Sequence, residues 1–273
     1  MMEYGHGGDI YRNRNVELDF SVNVNPLGMP NFVWEAAQRS IAFCTGYPDS
    51  SCENLRGRLS EVTGVPEDQM IFGNGAAELI FRLVQEVRPK KAVIPAPSFA
   101  EYETALRSCG TEIAFFYLKE AESFFLNISE FLDFLRAEQP EIIFLCTPAN
   151  PTGAMIRQAD LSKILDYCKK HGILLVLDEC FVEFLDEERS CGCIREFLDW
   201  ETGRPEHGGN LFLLRAFTKT YAMAGLRLGY GFCTSRELLD RMEMNWQPWS
   251  VSIPAQEAGY VALSEERIPF LKK

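Results

Sequence analysis

The stretch AFTKTYAMAGLRLGY, residues 216–230, holds a single lysine among mostly small and apolar residues. A lysine in a loop is ordinarily a solvated surface residue, because its ammonium group is costly to bury. Lys219 instead follows the strand-like run NLFLLRA (210–216) and precedes a second one, RLGYGFC (227–233). Arg227 stands eight residues after the lysine. We therefore predict that Lys219 lies in a loop between two buried strands, where its amine is available for chemistry.

Strand-like and helix-like segments alternate upstream of this stretch. The strand-like runs are continuous and apolar, and the segments between them carry apolar residues at helical spacing. The predicted strands are MIFG (70–73), KAVIP (91–95), EIAFFYL (112–118), EIIFLC (141–146) and ILLVLD (173–178). The predicted helices cover 34–44, 53–64, 76–87, 98–109, 129–138, 158–170 and 235–246. This order indicates a three-layer α/β/α domain, in which helices cover both faces of a mostly parallel sheet.

Composition narrows the class of protein further. Of the 273 residues 47% are hydrophobic, and the net charge of −12 disfavours binding to the phosphate backbone of nucleic acids. No apolar run reaches the roughly 18 residues that a membrane span needs, and the N-terminus lacks the apolar core of a signal peptide. Nine scattered cysteines indicate reduced thiols, so we expect a cytoplasmic protein with no nucleic-acid or membrane partner. Cys191 and Cys193 form the one close pair; without a second pair at metal-binding spacing, we expect no metal site.

Two features follow the first two predicted strands. Gly73-Asn74-Gly75-Ala76-Ala77-Glu78 stands where a strand turns into a helix, so backbone N–H groups there could meet a phosphate. A glycine-rich turn of this kind is also common for structural reasons alone. Phe99, in the segment 95–102, follows the next strand; it could stack on a flat ligand ring or simply belong to the core.

Two more features follow later strands. Asn150, in the segment PANPTG (148–153), could be a turn residue or could hold a ligand oxygen. Asp178 ends the apolar run ILLVLD, where a carboxylate is costly unless it is paired. A helix cap or a turn residue is the alternative for Asp178. The carboxyl ends of parallel strands share one edge of a sheet, so these features are expected to converge with Lys219.

The five features together resemble the site of fold-type I aminotransferases of classes I and II. The blocks NPTG (150–153) and TKTYAMAGLRLGY (218–230) carry the resemblance, which extends from Gly5 to about Pro254. The resemblance implies the aspartate-aminotransferase fold and pyridoxal 5′-phosphate as cofactor. That cofactor needs a phosphate cup, a ring stacker, a donor to the ring oxygen O3′, a carboxylate at the ring nitrogen and an amine for the aldehyde.

The resemblance implies a role for each matching residue. Lys219 would hold the cofactor as a Schiff base and move protons at the substrate Cα, and Asp178 would keep the ring nitrogen protonated. Asn150 would donate to O3′ and Phe99 would stack on the ring. The phosphate would be held by the turn at Gly75 with the N–H groups of Ala76 and Ala77, by Thr218 and by Arg227. Tyr47, in the GYPD segment, resembles the family tyrosine that reaches the phosphate of a neighbouring subunit, which implies a homodimer with a shared site.

The N-terminal arm distinguishes members of the family. The segment HGGDIY (6–11), followed by LDFSVNVNPLG (18–28), resembles the start of the threonine-phosphate decarboxylases of the cobalamin pathway. The resemblance assigns His6, Gly7, Gly8 and Asn25 to a small phosphorylated amino-acid substrate. Phe181 points the same way, because histidinol-phosphate aminotransferases usually carry tyrosine there. The expected reaction is therefore decarboxylation of L-threonine O-3-phosphate; a histidinol-phosphate or related aminotransferase is the alternative.

The sequence departs from the family pattern at two places. At the phosphate cup, Ala216 stands where relatives commonly have Ser or Thr, so one hydroxyl contact to the phosphate is missing.

The second departure concerns the domain division. We expect an arm over 1–30, a cofactor-binding large domain over 31–250, and over 251–273 the start of a C-terminal small domain that is largely missing. The family's carboxylate-binding arginine has no match, and we expect a fragment rather than a protein that has lost substrate binding. A regulatory protein and an inactive homologue are alternatives that the acidity and the retained Lys219 disfavour.

Overall fold

The computed structural model describes residues 7–9, 11, 14–185 and 209–272. Seven strands match the sequence prediction to within two residues at each end. They are β1 Met70–Gly73, β2 Lys91–Ala96, β3 Glu112–Tyr117, β4 Ile142–Cys146, β5 Leu174–Asp178, β6 Leu211–Ala216 and β7 Gly229–Cys233. The helices are α1 Asn31–Ser40, α2 Glu53–Thr63, α3 Ala76–Val87, α4 Ala100–Ser108, α5 Ile128–Glu138, α6 Gln158–His171, α7 Arg236–Met244, α8 Ile253–Ala262 and α9 Arg267–Leu271.

The seven strands form one mixed sheet in the order β1-β7-β6-β5-β4-β2-β3. Strands β2 to β6 run parallel, whereas β7 is antiparallel to both of its neighbours. Helix α4 connects β2 to β3, α5 connects β3 to β4, and α6 connects β4 to β5, as parallel pairing requires. The predicted α/β class with a mostly parallel sheet is confirmed. This topology brings the carboxyl ends of five parallel strands to one edge of the sheet.

Apolar side chains of the sheet enter two separate cores, one on each face. Along β5, Leu175 and Leu177 belong to one core, and Leu174 and Val176 to the other. Residues of α3, α4 and α7 fill the second core, and residues of α1, α2, α5, α6 and α8 fill the first. A strand buried on both faces must be apolar at every position, which explains the continuous apolar runs in the sequence.

Helix α3 illustrates how the sequence fixes a helix beside the sheet edge. Leu79, Ile80, Leu83 and Val84 recur at helical spacing and are buried. Burying each of them contributes about 1.5–3 kcal/mol, more than the helix propensity of any single residue. The N-cap, Gly75, has φ 80°, which a residue with a Cβ rarely adopts. The N-terminus of α3 is thereby held at the carboxyl end of β1.

Helix α1 begins three residues before its predicted start. Pro30 precedes it, and the carbonyl of Pro30 accepts from the N–H groups of Val33 and Trp34. Burial of Val33 supports this earlier start. The predicted C-terminal turns over 41–43 form a 3-10 helix instead. Helix α8 packs against α1 and α2, and its buried alanines Ala255, Ala258 and Ala262 belong to the same core. The proposed division at residue 250 remains a prediction.

Several expectations fall on residues outside the described ranges or concern the whole chain. Cys191, Cys193 and His6 lie outside the described residues. Within the ranges given above, no helix combines the length and apolar character that crossing a bilayer would demand. The seven cysteines in those ranges are unbridged thiols.

Candidate active site

The features predicted from the sequence meet at the carboxyl edge of the sheet. The turn Gly73–Gly75 follows β1, Phe99 follows β2 and Asn150 follows β4. Asp178 is the last residue of β5, and Lys219 comes three residues after the end of β6. Because β7 is antiparallel, its N-terminal end lies at the same edge and brings Arg227 there. This edge is where open α/β sheets bind ligands.

Asp178 is a buried carboxylate held by two hydrogen bonds. The Tyr102 hydroxyl donates to Oδ2 at 2.5 Å, and the backbone N–H of Cys180 donates to Oδ1 at 2.9 Å. Burial raises the pKa of Asp178, and these hydrogen bonds oppose the rise. In the described part of the chain no lysine, arginine or histidine forms an ion pair with it. A carboxylate buried in this way is stabilised if a protonated ring nitrogen is placed against it.

Lys219 is half-buried at the same edge. Its ammonium nitrogen Nζ lies 5.6 Å from the centroid of the Phe181 ring. Burial lowers the pKa of Lys219, Arg227 lowers it further, and Cys180 and Asp178 partly oppose this. A lowered pKa increases the fraction of neutral amine, which is the form that attacks a carbonyl group.

A cradle for an anion forms between the start of α3 and Arg227. A Cβ built on Gly75 would lie 2.3 Å from Nη2 of Arg227, so the guanidinium group rests directly on this glycine. A Cβ on Gly229 would likewise lie 2.3 Å from the backbone nitrogen of Ala76. Arg227 has φ 61° and donates to the carbonyl of Ala224, with no carboxylate partner among the described residues. Together with the N–H groups at the start of α3, it suits a phosphate.

Three further predicted residues surround these groups. Thr218 is buried directly before Lys219. Phe99 packs edge-on against Tyr102, with ring centroids 5.6 Å apart. Asn150 and Tyr102 line one cavity of about 40 Å³ behind the site. The remaining predicted residue of the cup, Ala77, is the second residue of α3.

The structure does not bring the N-terminal glycines and Tyr47 to Lys219. Gly8 donates to the Ser21 hydroxyl at 2.8 Å, and a Cβ on Gly7 would lie 1.9 Å from the carbonyl oxygen of Ser21. Tyr47 is 79% exposed and stacks on Trp249, with ring centroids 4.4 Å apart. The proposed roles of these residues need a substrate or a second subunit.

Asn25 does reach the Lys219 loop, although by a contact that differs from the predicted one. Its backbone N–H donates to the carbonyl of Lys219 at 3.1 Å, and Nδ2 donates to the carbonyl of Thr220 at 2.9 Å. The role of Asn25 in binding substrate stays a prediction. In the structure its side chain is bonded to the segment that carries the lysine.

The sequence prediction gave no role to two residues at the site, Tyr102 and Glu78. Tyr102 bonds Asp178, as described above, and it lies in the first turn of α4, three positions after the N-cap residue Phe99. Glu78 accepts from the backbone N–H of Asn74 at 2.8 Å and from Trp246 Nε1 at 3.1 Å, which fixes the glycine turn. Both residues stand in the quoted motifs, but their partners are distant in sequence.

A buried ion pair lies directly beside Asp178. Oε2 of Glu179 accepts from Nη2 of Arg215 at 2.6 Å and from its Nε at 3.1 Å. Burial acts to lower the pKa of Arg215, but Glu179, with Tyr230 and Glu183, outweighs this effect and the pKa is raised. The pair joins the residue after Asp178 to the strand that leads to Lys219.

Comparisons with known proteins agree with this fold and with the predicted family. Residues 15–273 match the family model described as aminotransferase class I and II. The threonine-phosphate decarboxylase of Salmonella typhimurium strain LT2 is 37% identical over 269 residues, which cover 95% of this chain and 70% of that protein. The histidinol-phosphate aminotransferase of Methanosarcina barkeri is 32% identical over 89% of this chain and 62% of its own length.

A solved structure gives the same answer. The histidinol-phosphate aminotransferase from Clostridium acetobutylicum superimposes with a TM-score of 0.80 and 25% identity, over 92% of this chain and 70% of that one. The fold and the site define a pyridoxal-phosphate enzyme of the aspartate-aminotransferase type. The chain belongs to the aminotransferase class I and II family. The predictions of an enzyme and of pyridoxal 5′-phosphate as its cofactor are confirmed.

The residues present fit that cofactor. Asp178 offers a buried carboxylate that lacks a basic partner in the described chain, Arg227 offers a guanidinium group without a carboxylate, and Lys219 offers an amine of lowered pKa. These are the three charged functions that a pyridoxal-phosphate site supplies.

Proposed function

We propose that the protein is an L-threonine O-3-phosphate decarboxylase that releases CO₂ and gives (R)-1-aminopropan-2-yl phosphate, a reaction of cobalamin biosynthesis. One observation carries the proposal: half-buried Lys219, which lies beside Phe181, and buried Asp178 are at the same edge of the sheet. The 37% identity to the Salmonella decarboxylase supports the choice of substrate.

Each charged residue has a defined task in this proposal. Bound pyridoxal phosphate supplies an electron sink for the electron pair that CO₂ leaves at the substrate Cα. Lys219 holds the cofactor, yields to the substrate amine, and then carries a proton to Cα. Asp178 keeps a proton on the ring nitrogen, and Tyr102 and the N–H of Cys180 hold that carboxylate in place. Arg227 and the start of α3 bind the cofactor phosphate.

The bond that breaks at Cα is the one that the site holds perpendicular to the cofactor ring. Residues that orient the substrate therefore decide between decarboxylation and transamination. Phe181 supports decarboxylation because it lacks the hydroxyl that the aminotransferases usually carry there, and it lies beside Lys219. Gly7, Gly8 and His6 of the arm are proposed to meet the substrate phosphate. The second candidate is a histidinol-phosphate aminotransferase, which the 32% identity to the Methanosarcina enzyme supports.

We further propose a homodimer in which Tyr47 reaches the partner's cofactor phosphate. Exposed aromatic and aliphatic side chains gather near Tyr47 in the chain: Trp34, Ile41 and Phe43 are each more than half exposed. A surface of this kind suits an interface between subunits. The unbridged cysteines support a reducing compartment, and we propose the cytoplasm.

The test supplies the purified protein with pyridoxal phosphate and then with each substrate. L-threonine O-3-phosphate alone should release CO₂, without any need for an oxo acid. Histidinol phosphate with 2-oxoglutarate should give no glutamate. Glutamate formation without CO₂ release would reverse the assignment. Lys219→Ala should abolish the visible absorbance of the lysine-bound cofactor, and Lys163→Ala, at an exposed lysine on α6, should leave it unchanged.

A further inference from the structure

Segment 14–28 of the N-terminal arm makes its hydrogen bonds to the large domain through one residue. Among residues 14–28, all of them described, the hydrogen bonds that reach beyond the arm are both made by Asn25. Other hydrogen bonds of this segment are internal to the arm, such as those of Asp19 with Ser21. Leu18, Phe20 and Leu27 are each more than half exposed. Asn25 is therefore the hydrogen-bonding link between segment 14–28 and the large domain, and Met29, just after it, packs against the core.

Asn25 holds two consecutive carbonyl groups of the lysine loop. The carbonyl of Lys219 accepts from the N–H of Asn25, and the carbonyl of Thr220 accepts from its side-chain amide. The other end of that amide, Oδ1, accepts from the N–H of Leu27, and the carbonyl of Asn25 accepts from the N–H of Gly28. The turn of residues 25–28 thus orients the side chain that grips the loop.

We propose that Asn25 is a positioning residue for Lys219, which makes the N-terminal arm a part of the active site before any substrate binds. The proposal rests on the proposed function, in which Lys219 is the cofactor-holding amine. The lysine side chain is long and flexible, so the position of its peptide sets where Nζ can reach. Clamping both the Lys219 and the Thr220 carbonyl removes the freedom of that peptide.

The contact geometry favours this role over direct binding of substrate. Oδ1 and Nδ2 of Asn25 are both already engaged with backbone groups. A substrate contact would have to break one of these bonds or share it. The carbonyl of Lys219 also accepts from the N–H of Ala222, so the same oxygen links the arm to the following turn. Loss of the Asn25 side-chain contact should therefore increase the mobility of both the arm and the turn at Ala222.

The test compares two substitutions of the same kind in the same arm. Asn25→Asp keeps an oxygen for the Leu27 N–H but replaces the amide donor by a carboxylate, which faces the Thr220 carbonyl. Asn23→Asp adds the same charge at an exposed residue without a hydrogen bond in the structure, two positions earlier. Asn25→Ser provides a second variant that accepts from Leu27 but is too short to reach Thr220. Amide hydrogen exchange is followed in the cofactor-loaded protein without substrate, and steady-state kinetics separately.

We expect faster amide exchange in both the arm and the Lys219 loop, in the two Asn25 variants and not in Asn23→Asp. Exchange at the amides of Asn25 and Ala222 should rise together by about tenfold, the size expected for one lost hydrogen bond. The kcat should fall more than KM rises, since Lys219 acts after substrate has bound. Unchanged exchange at Ala222, or a rise in KM at constant kcat, would make Asn25 a substrate contact and overturn the proposal. Failure of the wild-type protein to release CO₂ would refute the proposed function instead. The exchange result would be unaffected by that failure, because it is measured without substrate.

Discussion

The hydroxyl of Tyr102 donates to Oδ2 of Asp178 at 2.5 Å, although the two residues are 76 positions apart in the chain. Both are fully buried, and the Tyr102 ring stacks on Phe144 with centroids 4.9 Å apart. Burial raises the pKa of Asp178, and the bond from Tyr102 lowers it. Tyr102 therefore helps to keep ionised the carboxylate that would face the cofactor ring nitrogen.

Replacing Tyr102 by Phe should shift the acid side of the activity profile. The variant keeps the stacked ring but removes one hydrogen bond to the carboxylate, so the pKa of Asp178 should rise. Activity needs Asp178 in its ionised form. As the pH is lowered, the variant should therefore lose activity at a higher pH than the wild type does. A hydrogen bond to a charged group is worth about 1.5–3 kcal/mol, and one pKa unit is about 1.4 kcal/mol, so the shift should be about one unit or more.

The measurement is the pH dependence of kcat for Tyr102→Phe beside Tyr117→Phe. Tyr117 is 74% exposed at the end of β3, so loss of its hydroxyl should change neither the profile nor the stability. An unshifted acid limb in Tyr102→Phe would mean that the bond does not control the ionisation of Asp178.

Substituting Gly75 by Ala should weaken cofactor binding. Its Cβ would stand 2.3 Å from the Arg227 guanidinium group, which would have to leave the anion cradle. We expect the affinity for pyridoxal phosphate to fall about tenfold or more, the effect of losing one charge-assisted contact to the phosphate. Titration of the visible absorbance with added cofactor measures this.

Gly110 offers a matched control for that substitution. It has φ 75°, close to the 80° of Gly75, but open space where a Cβ would be. Gly110→Ala should therefore show only the strain of a left-handed residue, about 1 kcal/mol of stability, with cofactor affinity intact. Equal losses of affinity in the two variants would show that strain, and not the clash with Arg227, is responsible.

Much of the sheet and of its functional edge could be predicted from the sequence. Strands buried on both faces read as apolar runs, so β4 and β5 were recognised almost to the residue. The roles predicted for Asp178 and Lys219 came from the resemblance of the blocks at 150–153 and 218–230 to the aminotransferase family. The topology accounts only for their common location, because parallel strands end at one edge of the sheet.

The remaining features depend on tertiary packing that no local pattern encodes. The bond from Tyr102 to Asp178 joins the first turn of α4 to the end of β5, with the Tyr102 ring stacked on Phe144 of β4. The φ of 61° at Arg227 has no sequence signature, because residues other than glycine and asparagine rarely adopt it. The grip of Asn25 on the Lys219 loop joins segments almost two hundred residues apart.

The ion pair of Arg215 and Glu179 should behave as a unit in stability measurements. Arg215→Met removes the guanidinium group that the buried Glu179 carboxylate binds, and we expect the free energy of unfolding to fall by about 3–5 kcal/mol. The double variant Arg215→Met with Glu179→Leu removes both charges of the pair and should regain part of that loss, because Glu183, which also interacts with Arg215, keeps its carboxylate. Urea unfolding of the two variants measures the difference. A double variant no more stable than Arg215→Met alone would contradict this account.

Mixing two inactive variants should test whether Tyr47 acts across the subunit interface. In the proposed dimer each site takes Lys219 from one subunit and Tyr47 from the other. A hybrid of Tyr47→Ala and Lys219→Ala subunits then has one site with both substitutions and one site with neither. Hybrids isolated by two different affinity tags should show about half the activity of the wild-type dimer, since a two-fold symmetric dimer has two equivalent sites. If Tyr47 instead serves its own subunit, each site of the hybrid carries one defect and the hybrid stays as inactive as its parents.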